Sequence, residues 1–248
     1  MKRIALGLLV FAASGAARAQ APGRFPPDSL VNVKVFPKST PVIQVIGAMR
    51  NFTGDLGVRC QFCHVGREGQ PLTQFDFVSD EKRTKLVARQ MMLMTQEINR
   101  RVDTLPGRLA ASGLQVTCAT CHRGVSRPAP LFTVLTEIAT TSGADSAVRA
   151  YKALKNRYYG RGAYDFGEGT LNTAAFRLGR ASRFDEAFAM LTLNEEMFPG
   201  SSGTAVFRGN ISLMRGDTAS AERAFRDAVR LDSTNAEAKG RLRDIGRP

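Results

Sequence analysis

The sequence predicts a mostly α-helical chain in two parts, and three observations carry that prediction. Apolar residues recur at threes and fours through most of the chain, the mark of helices with one covered face. Two five-residue words, CQFCH at 60–64 and CATCH at 118–122, each follow such a helix. Beyond Leu171 the helical pattern returns with a period of 34 residues. The 248 residues are enough for one or two domains with cores of their own.

The N-terminus reads as an export leader. Lys2 and Arg3 form a basic start, Ile4 to Ala13 is an apolar run, and Ala17-Arg18-Ala19 offers a small-x-small cleavage site. The run is too short for a membrane span, and no cysteine follows it to take a lipid. Residues 1–19 are therefore assigned as a signal peptide and the location as the periplasm, a retained anchor being the alternative. No later stretch approaches 18 uninterrupted apolar residues, so the mature chain is not expected to be an integral membrane protein. Removing Lys2, Arg3 and Arg18 lowers the formal net charge from +13 to +10. Such a balance suits nucleic acid, an anionic membrane surface or an acidic protein, and export argues against nucleic acid. Exported thiols are oxidised or otherwise occupied, which bears on every cysteine of the chain.

Residues 20–40 hold four prolines and no helical period, and are expected as an extended segment. At 41–56 the character changes. Pro41 suits a first helical turn after Ser39 or Thr40 as cap, and Val42, Val45, Met49, Phe52 and Leu56 form one stripe. A polar loop, GREGQPLTQFDFVSD, leads from the first word to a second helix over about Asp80 to Arg101, capped by Ser79 or Asp80. Its stripe is Val87, Met91, Met94 and Ile98, and Leu105-Pro106-Gly107 marks a turn before the second word.

SRPAP at 126–130 is the best boundary candidate. It divides a domain over 41–127 from a linker over 128–144 and a helical domain over 145–248. Residues 145–159 make one helix, which GRGAYDFGEG interrupts. Ala187 then returns as Ala221, Pro199 falls opposite Ser233, and Gly216-Asp217 marks a turn where Ala181-Ser182-Arg183 stands in the first copy. Helix–turn–helix units of this length resemble tetratricopeptide repeats, whose stacked pairs present a groove for docking a protein. Antiparallel helices with an accidental period are the alternative.

CQFCH and CATCH contain all four cysteines and both histidines. Three chemistries compete for a CxxC followed by His. A thioredoxin-like dithiol needs a strand before it and a helix after it, and one copy ordinarily suffices. A zinc tetrahedron could be closed by two cysteine pairs, but would leave the identical placement of His64 and His122 without a role. The third reading uses every residue: each cysteine pair forms thioethers to a haem and the adjoining histidine ligates its iron. Two bonds at i and i+3 fix the macrocycle against one turn, and the next residue reaches the metal. Two covalently attached haem c groups are therefore expected, on Cys60, Cys63 and His64 and on Cys118, Cys121 and His122. Gln61, Phe62, Ala119 and Thr120 read as spacers.

With no histidine left, the distal position falls to methionine, lysine, another donor or none. Met49 lies eleven residues before Cys60 on the first stripe, and Met91, Met92 and Met94 precede Cys118. A methionine at helical spacing ordinarily fills a core. The order of helix then CxxCH in both halves, and the methionines gathered on the second helix, favour Met49 and Met91, with Met94 the rival. A distal thioether stabilises ferrous iron compared with imidazole. Arg59, Arg67, Arg89 and Arg123 are candidates to pair with haem propionates.

The words VIQVIGAM, LGVRCQFCHVG, KLVARQMMLMTQEIN and VTCATCHRG resemble the tetrahaem cytochrome c subunit of photosynthetic reaction centres and its dihaem relatives. The resemblance runs from Val42 to near Pro128. It departs in having two haem motifs rather than four and in carrying the repeat region. It implies the pairs His64 with Met49 and His122 with Met91, because Met91 matches the first methionine of the family's AR-x-M-x-x-M segment. The resemblance implies a multihaem c-type cytochrome domain, and with the period of 34 the expected architecture is that domain followed by a helical-hairpin repeat domain. The implied function is one-electron transfer by a periplasmic carrier rather than catalysis, between a redox protein donor and an acceptor such as a reaction centre or respiratory complex. Two alternatives stand beside it: a haem domain docked by its repeat module to a membrane assembly, and a peroxidase or small-ligand reductase, which would lack a distal histidine.

Overall fold

A computed structural model describes residues 24–106 and 113–246, so the leader assigned to 1–19 and Gly107 of the expected turn lie outside the described residues. The described residues are mostly helical, with no strand beyond a single antiparallel bridge between Val65 and Asp76. The chain divides into two compact units. One comprises the described residues to Thr53 together with Arg59–Gln115; the other comprises Gly54–Val58 and the residues from Val116 onward.

The first unit is built on α1 (Val42–Leu56) and α2 (Arg83–Val102). Pro41 stands at the start of α1, its carbonyl accepting from the amides of Gln44 at 3.0 Å and Val45 at 3.3 Å. A residue without an N–H and with φ preset suits that place. The stripe read from the sequence is the covered side of α1: Val45 is buried, whereas Ile43 is 66% exposed. α2 starts at Arg83, with Lys82 rather than Ser79 or Asp80 at its N-cap. Asp80 is otherwise engaged, its carboxylate meeting Asn32, Lys85 and Arg89.

The second unit carries α3 (Cys118–His122), α4 (Leu131–Ser142), α5 (Ala144–Tyr158), α6 (Glu168–Arg180), α7 (Phe184–Met197), α8 (Ser202–Arg215), α9 (Thr218–Leu231) and α10 (Ala236–Asp244). The stretch 128–144, expected as a linker, is therefore largely helix. Pro130 sits at the N-cap of α4, and Leu131, Leu135 and Ala139 are buried at a spacing of four. They join Tyr151, Leu171, Leu178, Met190, Leu191 and Ile211 in one core. A second cluster gathers Val206, Ala221, Phe225, Ala228, Ala238 and Leu242.

The period of 34 reappears in the geometry. α6, α8 and α10 begin at 168, 202 and 236, and α7 and α9 at 184 and 218. Ser182 and Gly216, 34 apart, both take a positive φ, of 58° and 85°, in the turns that follow α6 and α8. Ser201 and Asn235, also 34 apart, both cap the next helix by accepting an amide three residues on, replacing one of the unpaired donors of a helix start. Small residues allow the close crossings: a Cβ on Gly209 would fall 2.3 Å from a ring carbon of Phe225, which is fully buried.

Two glycines of this unit should respond with opposite signs to alanine. Gly209→Ala overpacks the Phe225 contact and should cost about 1–3 kcal/mol. Gly240→Ala, with only the Arg243 guanidinium at 4.0 Å, should gain up to about 1 kcal/mol from helix propensity. Urea unfolding of the full chain followed by helical circular dichroism compares them directly.

Candidate functional site

Both cysteine words fold as a short helical turn reached from extended chain. Arg59, at φ −117° and ψ 171°, precedes a 3-10 turn over Cys60–Phe62. Thr117, at φ −120° and ψ 174°, precedes α3. In the first, the amides of Cys63 and His64 both point at the carbonyl of Cys60, at 3.2 and 2.9 Å. The spacing i, i+3, i+4 places two sulfurs and one imidazole on one side of a turn.

None of the four cysteines is in a disulfide. Burial pushes the Cys63 and Cys118 thiols up from their ordinary value, the opposite of the depressed thiol that a redox dithiol uses. Among the described residues no three His, Cys, Asp or Glu side chains converge as metal ligands.

The two histidine rings are held by different means. Burial, with the charges of Lys85 and Arg89 behind it and Asp76 opposing, pushes the His64 imidazolium down to about 4. The ring is then neutral at neutral pH, the form that binds a metal. Its Nδ1 is buried and meets no hydrogen-bond partner. Phe77 presses on the ring edge-on, with centroids 4.9 Å apart and planes at 65°. His122 is instead held by a hydrogen bond: its Nδ1 lies 2.9 Å from the Val125 carbonyl, so that Nδ1–H donates and Nε2 is free to ligate.

The neighbouring sequence builds each turn. At the first, the start of α2 reaches back: Lys82 Nζ donates to the Gln61 carbonyl at 2.7 Å, and the Thr84 hydroxyl donates to that of Phe62. Lys85, only 8% exposed, donates to the carbonyls of Phe77, Val78 and Ser79 at 2.9, 3.1 and 2.7 Å. Asp80 lies 3.0 Å from the same ammonium and 2.9 Å from Arg89, which also donates to the Asn32 carbonyl. At the second, Thr117 and Thr120 form a capping box, and Arg123 and Gly124 both take positive φ. The Gly124 amide donates to the Asp55 carbonyl at 2.8 Å. Gly57, at φ 63°, is required beside it: a Cβ there would stand 2.0 Å from the Gly124 carbonyl oxygen. Thr120, read as a spacer, is thus a cap, and the carbonyls of Gln61 and Phe62 are anchor points. The T-x-x-T spacing was the visible signal for the first; backbone anchors leave none.

The surroundings fit a large planar apolar group such as haem c. In the first unit only Val45 and Lys85 are buried among the described residues. The α2 stripe is exposed among the described residues: Val87, Met91 and Met94 are 51%, 36% and 48% exposed, and Leu86, Leu93 and Phe62 are exposed with them. An apolar face of that extent needs a cover, while the polar Lys85–Arg89 face of the same helix is the one that packs. Met49 is half-buried on α1. Met49 and His64 belong to the first unit, as does Met91, whereas His122 belongs to the second. Of the four arginines considered for propionates, Arg89 is taken by Asp80, while Arg59, Arg67 and Arg123 are exposed.

The Asp80 carboxyl is held well below the usual carboxylate range by its hydrogen bonds from Arg89 and Lys85. A depressed folded-state pKa contributes stability that is present above the unfolded value, about 3.9, and is lost as pH falls below it. Asp80→Asn should therefore be less stable than the parent at pH 7, and the gap in urea midpoint should close as pH is lowered through 4 toward 2.

Comparison with known proteins places these residues in one family. A family described as the photosynthetic reaction centre cytochrome C subunit matches residues 32–159, just over half of the chain. No curated protein matches it. The matched span includes Met49, both CxxCH turns and Met91, and continues past Pro128, where the resemblance was expected to stop, through α4 and α5. By that match the chain belongs to the photosynthetic reaction-centre cytochrome c subunit family.

Proposed function

We propose that the chain is a periplasmic dihaem cytochrome c that carries single electrons between protein partners. The observation that carries this reading is the repetition of one local design: two CxxCH turns with the same approach dihedrals, each ending in a histidine with a nitrogen available for a metal. Bound haem c supplies a one-electron couple, iron passing between ferric and ferrous. The chain's own residues then hold and orient rather than react. Cys60 and Cys63, and Cys118 and Cys121, are the thioether positions, and His64 and His122 the proximal ligands. Met49 and Met91 are the distal thioethers, Met91 lying on the uncovered stripe of α2. No acid, base or nucleophile is required, and a peroxidase would want a distal histidine that the sequence does not supply.

The family supports a reaction centre as one acceptor, and a formal charge of +10 after the leader supports an acidic partner surface. The 34-residue recurrence of α6 to α10 supports a second role for the helical half, as a tetratricopeptide-like module that docks the cytochrome to a larger assembly.

Alkaline pyridine spectra of the purified chain should give two haems per polypeptide; none, with zinc bound instead, would end this reading. The oxidised protein should show the weak far-red band of thioether-ligated ferric haem. Met49→Ala and Met91→Ala should each remove part of that band and lower a midpoint potential, and Met94→Ala should do neither.

A further inference from the structure

The two histidines differ in what stands behind them. His122 Nδ1–H donates to the Val125 carbonyl, and such a bond raises the basicity of the ligating nitrogen. His64 Nδ1 is buried without a partner, so His64 is the weaker electron donor of the two. Ring packing fixes it instead. Phe77 meets the imidazole edge-on, and Phe77 is itself flanked by Phe75 and Phe25, with centroids at 5.7 and 5.4 Å.

Phe77 sits on a loop whose backbone is held by Asp76, Asn32 and Lys85, and only Lys85 among these takes the Phe77 carbonyl. The Lys85 ammonium takes the carbonyls of residues 77, 78 and 79 and faces Asp80 at 3.0 Å. Around this point stand three cations, Lys82, Lys85 and Arg89, and two carboxylates, Asp76 and Asp80. Asp76 accepts the amides of Val78 and Ser79, and Lys82 holds Gln61. Their formal sum is one positive charge, and Lys85 is the buried cation among them. A positive charge in a poorly hydrated place penalises the oxidised, more positive state of a nearby metal.

We propose that Lys85 is a positioning residue for the CQFCH haem: it seats Phe77 on His64, and its charge, with the absent Nδ1 hydrogen bond, makes this the higher-potential site of the pair. The inference rests on reading both words as haem sites. It assigns order to a pair whose ligand sets are otherwise identical. The CQFCH site retains an electron at potentials where the CATCH site has lost its own.

The test is a spectroelectrochemical titration of the full holoprotein, with low-temperature electron paramagnetic resonance of the oxidised state. A Cys60→Ala/Cys63→Ala chain, reduced to one haem, should keep the lower of the two midpoints; keeping the higher one overturns the proposal. Lys85→Met should lower the higher midpoint so that the reduced-to-oxidised ratio there falls about tenfold at fixed potential, ~59 mV for one electron. The other midpoint should move by much less. Phe77→Leu retains the Lys85 anchor and should shift the g-values of the same low-spin signal, because the imidazole plane is no longer fixed. If both variants leave the higher component in place, or if the lower one moves, Lys85 has no such role. Fewer than two haems in the parent protein would overturn the dihaem reading and this inference together, whereas two haems with the wrong component moved would overturn this inference alone.

Discussion

A helical unit that buries only Val45 and Lys85 among its described residues is not held together by packing of its own side chains. A fully buried Leu or Phe contributes about 1.5–3 kcal/mol, and the described residues of the first unit include none. What orders it is a set of charge-assisted bonds from one helix to the backbone of two loops. Removing an ammonium such as that of Lys85 from water costs several kcal/mol unless its protons are all received, and here three carbonyls and a carboxylate receive them. The polar face of α2 is thereby the structural one, and the apolar face is the exposed one. The usual division of labour along an amphipathic helix is reversed.

The second unit follows the ordinary rule. Its helices bury Leu135, Tyr151, Leu171, Leu191, Ile211 and Phe225 completely, and short caps at Ser201, Asp217 and Asn235 fix where they start. CATCH belongs to this unit and is held by local means, a capping box before it and a left-handed turn after it. One chemical motif is thus supported by two unlike scaffolds. That is why His64 and His122, equal in sequence, are unequal in environment.

Most helices were legible in the sequence, because apolar periodicity survives wherever a face is covered by anything. The stripes on α1 and α2 and the 34-residue recurrence were read in register. The helix over Leu131–Ser142 was missed although Leu131, Leu135 and Ala139 display the period, because SRPAP reads as punctuation and Pro130 is equally at home at a helix start. At the site, Cys60, Cys63, His64, Cys118, Cys121 and His122 announce themselves by spacing alone. Lys85 does not: a lysine within an apolar helix reads as a solvated charge, and only the fold reveals the carbonyls around it. Phe77 was equally hidden, as one of two aromatics in a loop whose composition reads as polar.

Gly57 and Gly124 show where length itself is fixed. The Asp55 carbonyl, in the last turn of α1, receives the Gly124 amide, and Gly124 leads into the carbonyl that holds His122. Inserting one residue into that last turn would rotate the Asp55 carbonyl by about 100°, away from the amide it serves. The loop tip at Arg67–Gly69 is exposed. Among homologous chains, insertions and deletions are therefore expected to collect at that tip, ahead of the 77–79 stretch that Lys85 holds, while the stretch from Asp55 to Gly57 keeps its length.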